Sequence, residues 1–203
     1  MPLRDRFEKY IEYIRITEAN KIARRYFVMN SFDGAVTILG VLLGVLFGGI
    51  QNPVQIVNIG IATGIALMIS GFTGTVIAEE AERRRDIKAL EESMLMDLKD
   101  SLYARAARFT TIYVSIVDGL SPFVSIVISI SPLLLSIWGY IDEYTALLTS
   151  ITVCILYLGV IGIFIGEYTG RNKIFESLKL MGIGILTTLL VSLVLQPISN
   201  TPI

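Results

Sequence analysis

Between Tyr26 and Ala78 the chain carries a single charged side chain, Asp33. Between Phe109 and Trp138 it again carries one, Asp118, and after Lys179 it carries none. A helix needs roughly 20 mainly apolar residues to cross the hydrocarbon of a bilayer. Five segments meet that length: Tyr26 to Ile50, Pro53 to Ala78, Phe109 to Trp138, Tyr144 to Gly166 and Phe175 to Leu195. None of them alternates polar and apolar residues as the strands of a membrane barrel would, and no other backbone form satisfies its own hydrogen bonds in lipid. The expected fold class is therefore an all-α integral membrane protein with five transmembrane helices. The third segment is the longest, and Pro122 and Pro132 offer it a place to kink or tilt.

Lys and Arg set the orientation. All 17 fall in three places: seven before the first span, seven between spans two and three, and three near the connection of spans four and five. In a five-span chain these three places share one side of the membrane, which the positive-inside rule assigns to the cytoplasm. The N-terminus is then expected inside and the C-terminus outside. The short turns at Gln51-Asn52 and Tyr140-Ile141-Asp142-Glu143 should face outward. Residues 1–25 are charged throughout and lack the apolar core of a cleavable signal. Phe7, Tyr10, Ile11, Ile14 and Ile22 recur at helical spacing among them. This reads as an N-terminal amphipathic cytoplasmic helix, followed by a transmembrane domain over 26–203. Within that domain, 79–108 forms an acidic helical segment that extends span two and turns back into span three. A prokaryotic plasma membrane is the expected location.

Composition removes several classes of function. The net charge is −1, and no basic block stands apart from the apolar segments, so nucleic acid is not expected as a partner. The chain has no His and one cysteine, Cys154, inside an apolar run. With no nucleophile–base pair and no metal-hydrolase motif, an enzyme is not expected.

Polar groups inside the apolar segments carry what remains. A carboxylate at mid-helix costs roughly 2.5–3.5 kcal/mol on insertion scales unless it is paired or solvated. Asp33 and Asp118 each precede a glycine, with a hydroxyl residue (Thr37, Ser121) shortly after. The likeness suggests a weak parallel repeat of spans one and two in spans three and four. No Lys or Arg lies in either span. Both Asp residues are thus candidates to bind a divalent cation or to exchange a proton, and Asn30, Asn58, Thr37 and Met68 could complete a shell. The segment after span two adds Glu79, Glu80, Glu82, Asp86, Glu91, Glu92, Asp97 and Asp100. Arg83, Arg84, Arg85 and Lys88 are interleaved with them, as in an ion-paired solvated helix. Gly40, Gly44 and Gly48 lie four apart, as do Gly60 with Gly64 and Gly162 with Gly166, the spacing that lets helix backbones approach in lipid. Such glycines serve packing within one bundle or a seam between two copies.

Phe32-Asp33-Gly34-Ala35-Val36-Thr37-Ile38-Leu39-Gly40 resembles the first-span signature of the vacuolar iron transporter family. Met68-Ile69-Ser70-Gly71 is similar to that family's second-span run, and Gly170 through Gly184 to its last loop and fifth span. The resemblance implies a homodimer that moves ferrous iron or manganese out of the cytosol in exchange for protons. It implies that Asp33 and Met68 line the path, with Glu79, Glu80, Glu82, Glu91 and Glu92 gathering metal. Phe72 stands where the family commonly has a glutamate, and the acidic segment here is short and rich in Arg. The metal would be cargo rather than a cofactor. Two other readings stay open: a membrane scaffold or sensor whose cytoplasmic helices bind a protein, and a proton-coupled transporter of another substrate.

Overall fold

A computed structural model describes residues 3–99 and 101–199, apart from the side chains of 3–7, 9 and 197–199. Phe7 and Asp100 of the sequence reading lie outside what is described. Six helices follow one another: α1 Leu3–Ile16, α2 Ala19–Phe47, α3 Pro53–Met94, α4 Leu102–Ile137, α5 Glu143–Thr169 and α6 Lys173–Ser199. The last five are long and apolar enough to cross a membrane, which makes the chain a multi-pass helical membrane protein. The described residues contain no strand.

The helix ends follow local chemistry. Asn52 precedes Pro53, and its Oδ1 accepts from the backbone N–H of Val54 at 2.9 Å. Proline suits the first helical position because its missing N–H would be unpaired there anyway. Ser101 Oγ accepts from Ala104 N at 3.1 Å, and Asn172 Oδ1 from Ile174 N at 2.9 Å, capping α4 and α6. Asp142 caps α5 through Thr145, with Oδ2 2.8 Å from its backbone N–H. The hydrogen bonds from Thr145 hold the Asp142 carboxyl below the usual carboxylate range. At its other end, α5 stops at Gly170, whose φ of 68° is open to glycine at no steric cost.

One boundary differs from the sequence reading. Helical spacing ran through residue 25, but the first helix ends at Ile16 and α2 starts at Ala19. Between them Thr17 turns its hydroxyl back to the Tyr13 carbonyl at 2.8 Å, and Glu18 takes a φ of 51°. Ile22 therefore belongs to the first long helix. Beyond span two α3 runs unbroken through 42 residues to Met94, and α4 begins at Leu102.

The helices divide into two compact units. Of the described residues, one contains 3–27, 68–99 and 101–120, the other 28–67 and 121–199. In the first unit α1 packs on the start of α4. Tyr10 stacks on Phe109 at 5.0 Å between centroids, Tyr13 lies 5.9 Å from the same ring, and Thr17 Oγ1 is 2.6 Å from Thr110 Oγ1. In the second unit Ala35, Ile38, Leu39 and Leu42 of α2 join Ile126, Ile130 and Leu133 of α4 and Cys154 and Leu158 of α5 in one buried apolar cluster. Close approaches occur where glycine removes the side chain. A Cβ on Gly34 would lie 2.5 Å from Pro122 Cα, and one on Gly162 would lie 2.5 Å from the Glu176 carbonyl oxygen. Gly60 and Gly64 are less tightly covered, a Cβ there meeting the side chains of Ile130 at 3.2 Å and Phe123 at 3.0 Å.

Candidate functional site

Asp33 sits on the fourth turn of α2, and its side chain is exposed. It takes no hydrogen bond or ion pair among the described residues. Residues 33, 40 and 44 lie seven and then four apart, so Asp33, Gly40 and Gly44 share one face of the helix. A Cβ built on Gly40 or Gly44 would meet nothing within 4 Å, and the nearest neighbour at Gly48 is the carbonyl of its own helix. Among the described residues Gly40 and Gly44 therefore pack against nothing, although Gly34 of the same helix and Gly60, Gly64, Gly162 and Gly166 do. The physical reason lies on the opposite face: Ala35, Ile38, Leu39 and Leu42 are fully buried and already fill the contacts α2 makes.

Asp118 lies in a different environment. It is 3% exposed, and Thr75 Oγ1 donates to its Oδ2 at 2.6 Å. A Cβ on Gly71 would stand 3.2 Å from that same oxygen, and Gly119 lies so close to the Met68 carbonyl that a Cβ there would stand 2.6 Å from it. Met68 thus approaches Asp118's neighbourhood through its backbone. Sequence reasoning singled out Asp118 but missed Thr75. The available signal was the four-residue spacing of Gly71, Thr75 and Glu79 along α3.

Most of the other candidate carboxylates are engaged one by one. Glu79 is 8% exposed, accepts from the Tyr26 hydroxyl at 3.2 Å and faces Arg83 at 3.4 Å. Glu80 pairs with Arg84 at 2.6 Å, and Glu92 approaches Lys88 at 3.9 Å. Glu91 accepts the Leu98 backbone N–H at 2.9 Å and so closes the turn between α3 and α4. Asp97 accepts from Lys99 N at 2.9 Å, and this bond holds its carboxyl below the usual range. Glu82 is exposed. Among the described residues no three Asp, Glu or Cys side chains stand close enough together to hold a metal ion. On α3, Arg83 and Arg84 pair with Glu79 and Glu80 one by one.

Two features were not legible beforehand. Glu176, in the first turn of α6, is only 4% exposed, with Arg171 at 3.4 Å and Lys179 at 3.6 Å. On α4, Thr111, Ser115, Ser121, Ser125 and Ser129 are all buried. Thr111, Ser115, Ser125 and Ser129 return their hydroxyls to the carbonyl four residues back. A hydroxyl bonded to its own helix can be buried without an outside partner.

The comparisons with known proteins bear on kinship alone. Uncharacterized protein MJ0645 of Methanocaldococcus jannaschii is 30% identical over 160 residues, covering 77% of this chain and 80% of the relative. The chain belongs to that protein's family. No family model matches the chain. No solved structure matches it either. The aligned length spans most of both proteins.

Proposed function

We propose that the protein is a divalent-metal transporter, carrying ferrous iron or manganese out of the cytosol in exchange for protons. One observation carries this reading: Asp33, a carboxylate partway along an apolar helix, is exposed and has no hydrogen bond or ion pair among the described residues. Against hydrocarbon it would cost roughly 2.5–3.5 kcal/mol on insertion scales. A polar path between two copies removes that cost. The bare stripe of Gly40 and Gly44 on the same face supports such a seam, since small residues let two helices approach closely in lipid.

In this arrangement each copy contributes one Asp33 to a shared path, and a cation entering it would meet two carboxylates. Carboxylate oxygens suit hard and borderline divalent ions. The same oxygens can take a proton when the metal leaves, which is the simplest form of exchange. Asp118, sealed beneath Thr75, is assigned a packing role instead. The glutamates of α3 act singly, as a charged approach rather than a cluster. The chain sits with its basic segments and N-terminus in the cytoplasm, in a prokaryotic plasma membrane.

The decisive experiment is manganese and ferrous-iron uptake into proteoliposomes holding the purified protein, with internal pH followed in parallel. Asp33→Asn should abolish both metal flux and the coupled pH change while the protein remains folded. Metal flux retained by Asp33→Asn would refute the proposal. Proton flux that is indifferent to metal would point to another substrate.

A further inference from the structure

Where α3 continues past its apolar part and α4 begins, the two helices leave a cleft of about 710 Å³. Its lining changes character along its length. On α3 it starts at Val76 and continues to Arg83, Arg84 and Lys88. Twelve residues separate Val76 from Lys88, roughly 18 Å of helix. On α4 the order is reversed, from Arg108 to the exposed Ile112. With Lys99 from the connecting turn, five cations meet two carboxylates, Glu80 and Glu91. One end of the cleft is apolar and the other strongly basic.

The cations are unequally used. Arg84 lies on Glu80 at 2.6 Å, and Glu91 is occupied by a backbone N–H. Arg108 is exposed and forms no ion pair among the described residues. Arg83 is the unusual one. Its side chain is 12% exposed, only its Nη2 reaches Glu79, and its buried Nε has no hydrogen-bond partner. A buried guanidinium N–H is seldom left without an acceptor. Arg83 also lines the cleft.

We propose that this cleft holds one anionic phospholipid of the surrounding membrane. The phosphate lies on Arg83 and Arg108, and the acyl chains leave past Val76 and Ile112. The occupant is a lipid and not a free phosphate because the cleft has an apolar end, situated where α3 and α4 lose their charges and enter hydrocarbon. Basic residues at that level attract anionic headgroups, each by about fivefold in affinity. The inference stands whether or not the protein carries metal.

The test is lipid binding to the purified full chain in detergent, read by native mass spectrometry. The probes are dioleoyl phosphatidylglycerol, dioleoyl phosphatidylcholine and inorganic phosphate. Wild type should prefer the anionic lipid, and Arg108→Gln should weaken it about fivefold. Arg105→Gln, an exposed cation outside the cleft, should leave it unchanged. Arg83→Gln should act like Arg108→Gln, but its contact with Glu79 makes it the secondary variant. Equal binding of the two lipids, or no effect of Arg108→Gln, overturns the proposal. So does displacement of the lipid by inorganic phosphate, or a dimer that comes apart in Arg108→Gln, which would mean a second copy covers the cleft.

Discussion

Asp33 and Asp118 are both aspartates before a glycine in an apolar helix, and their surroundings separate them. Thr75 donates to Asp118 at 2.6 Å, and Gly71 brings α3 close enough for it to do so. Replacing Thr75 by Val should lower the stability of the folded protein by about 1 kcal/mol, within the measured range for polar contacts between membrane helices. Denaturant unfolding in detergent checks this, and metal flux should survive. Gly119→Ala should cost more, about 1–3 kcal/mol, because its Cβ would stand 2.6 Å from a carbonyl on α3 that has no room to retreat. That both aspartates sit in membrane helices could be read from the sequence. Which one is sealed could not, because the donor arrives from 43 residues earlier in the chain.

Among the elements, α2 has two unlike faces. The buried face, through Ala35, Ile38, Leu39 and Leu42, holds the second unit together. The other carries Asp33, Gly40 and Gly44 into open space. Gly44→Leu should therefore leave the unfolding midpoint of the monomer unchanged and shift a dimer toward monomer, measured by cross-linking or light scattering. An unaltered dimer in that variant would place the seam elsewhere. The four-residue spacing of Gly40, Gly44 and Gly48 looks the same in sequence as that of Gly162 and Gly166. Only the position of α6, whose Glu176 and Lys173 backbones press on the latter pair, tells them apart. At the start of α5, Asp142 makes the helix sensitive to acid. Its folded pKa lies below the ordinary value, so its contribution is complete above the usual carboxylate range and is lost as the pH falls through the folded value. Asp142→Asn keeps a good cap and should remove that acid dependence, whereas Asp142→Ala should lower the melting temperature at neutral pH as well.

On the scale of the whole molecule, the charge pattern makes a prediction about sidedness. In a chain with Cys154 replaced by Ala, a cysteine at Tyr140 should react with an impermeant maleimide from outside intact cells. A cysteine at Met96, exposed in the turn between α3 and α4, should react only after permeabilisation. The reverse labelling would invert the topology and place the basic cleft on the outer face. Five apolar helices, their approximate ends and the helical extension of the second were all determined by sequence, because membrane spans obey a local rule: enough consecutive apolar residues, bounded by polar ones and caps. The break after Ile16 was less legible, since helical spacing continues through it and a single left-handed residue, Glu18, interrupts the chain. Tertiary structure alone decided which polar groups are free. Arg83 and Arg84 pair with Glu79 and Glu80 one turn away, Thr75 and Tyr26 reach Asp118 and Glu79, and among the described residues nothing bonds Asp33. Whether a charge is satisfied depends on side chains brought together from distant positions, and such meetings leave no periodicity in the sequence.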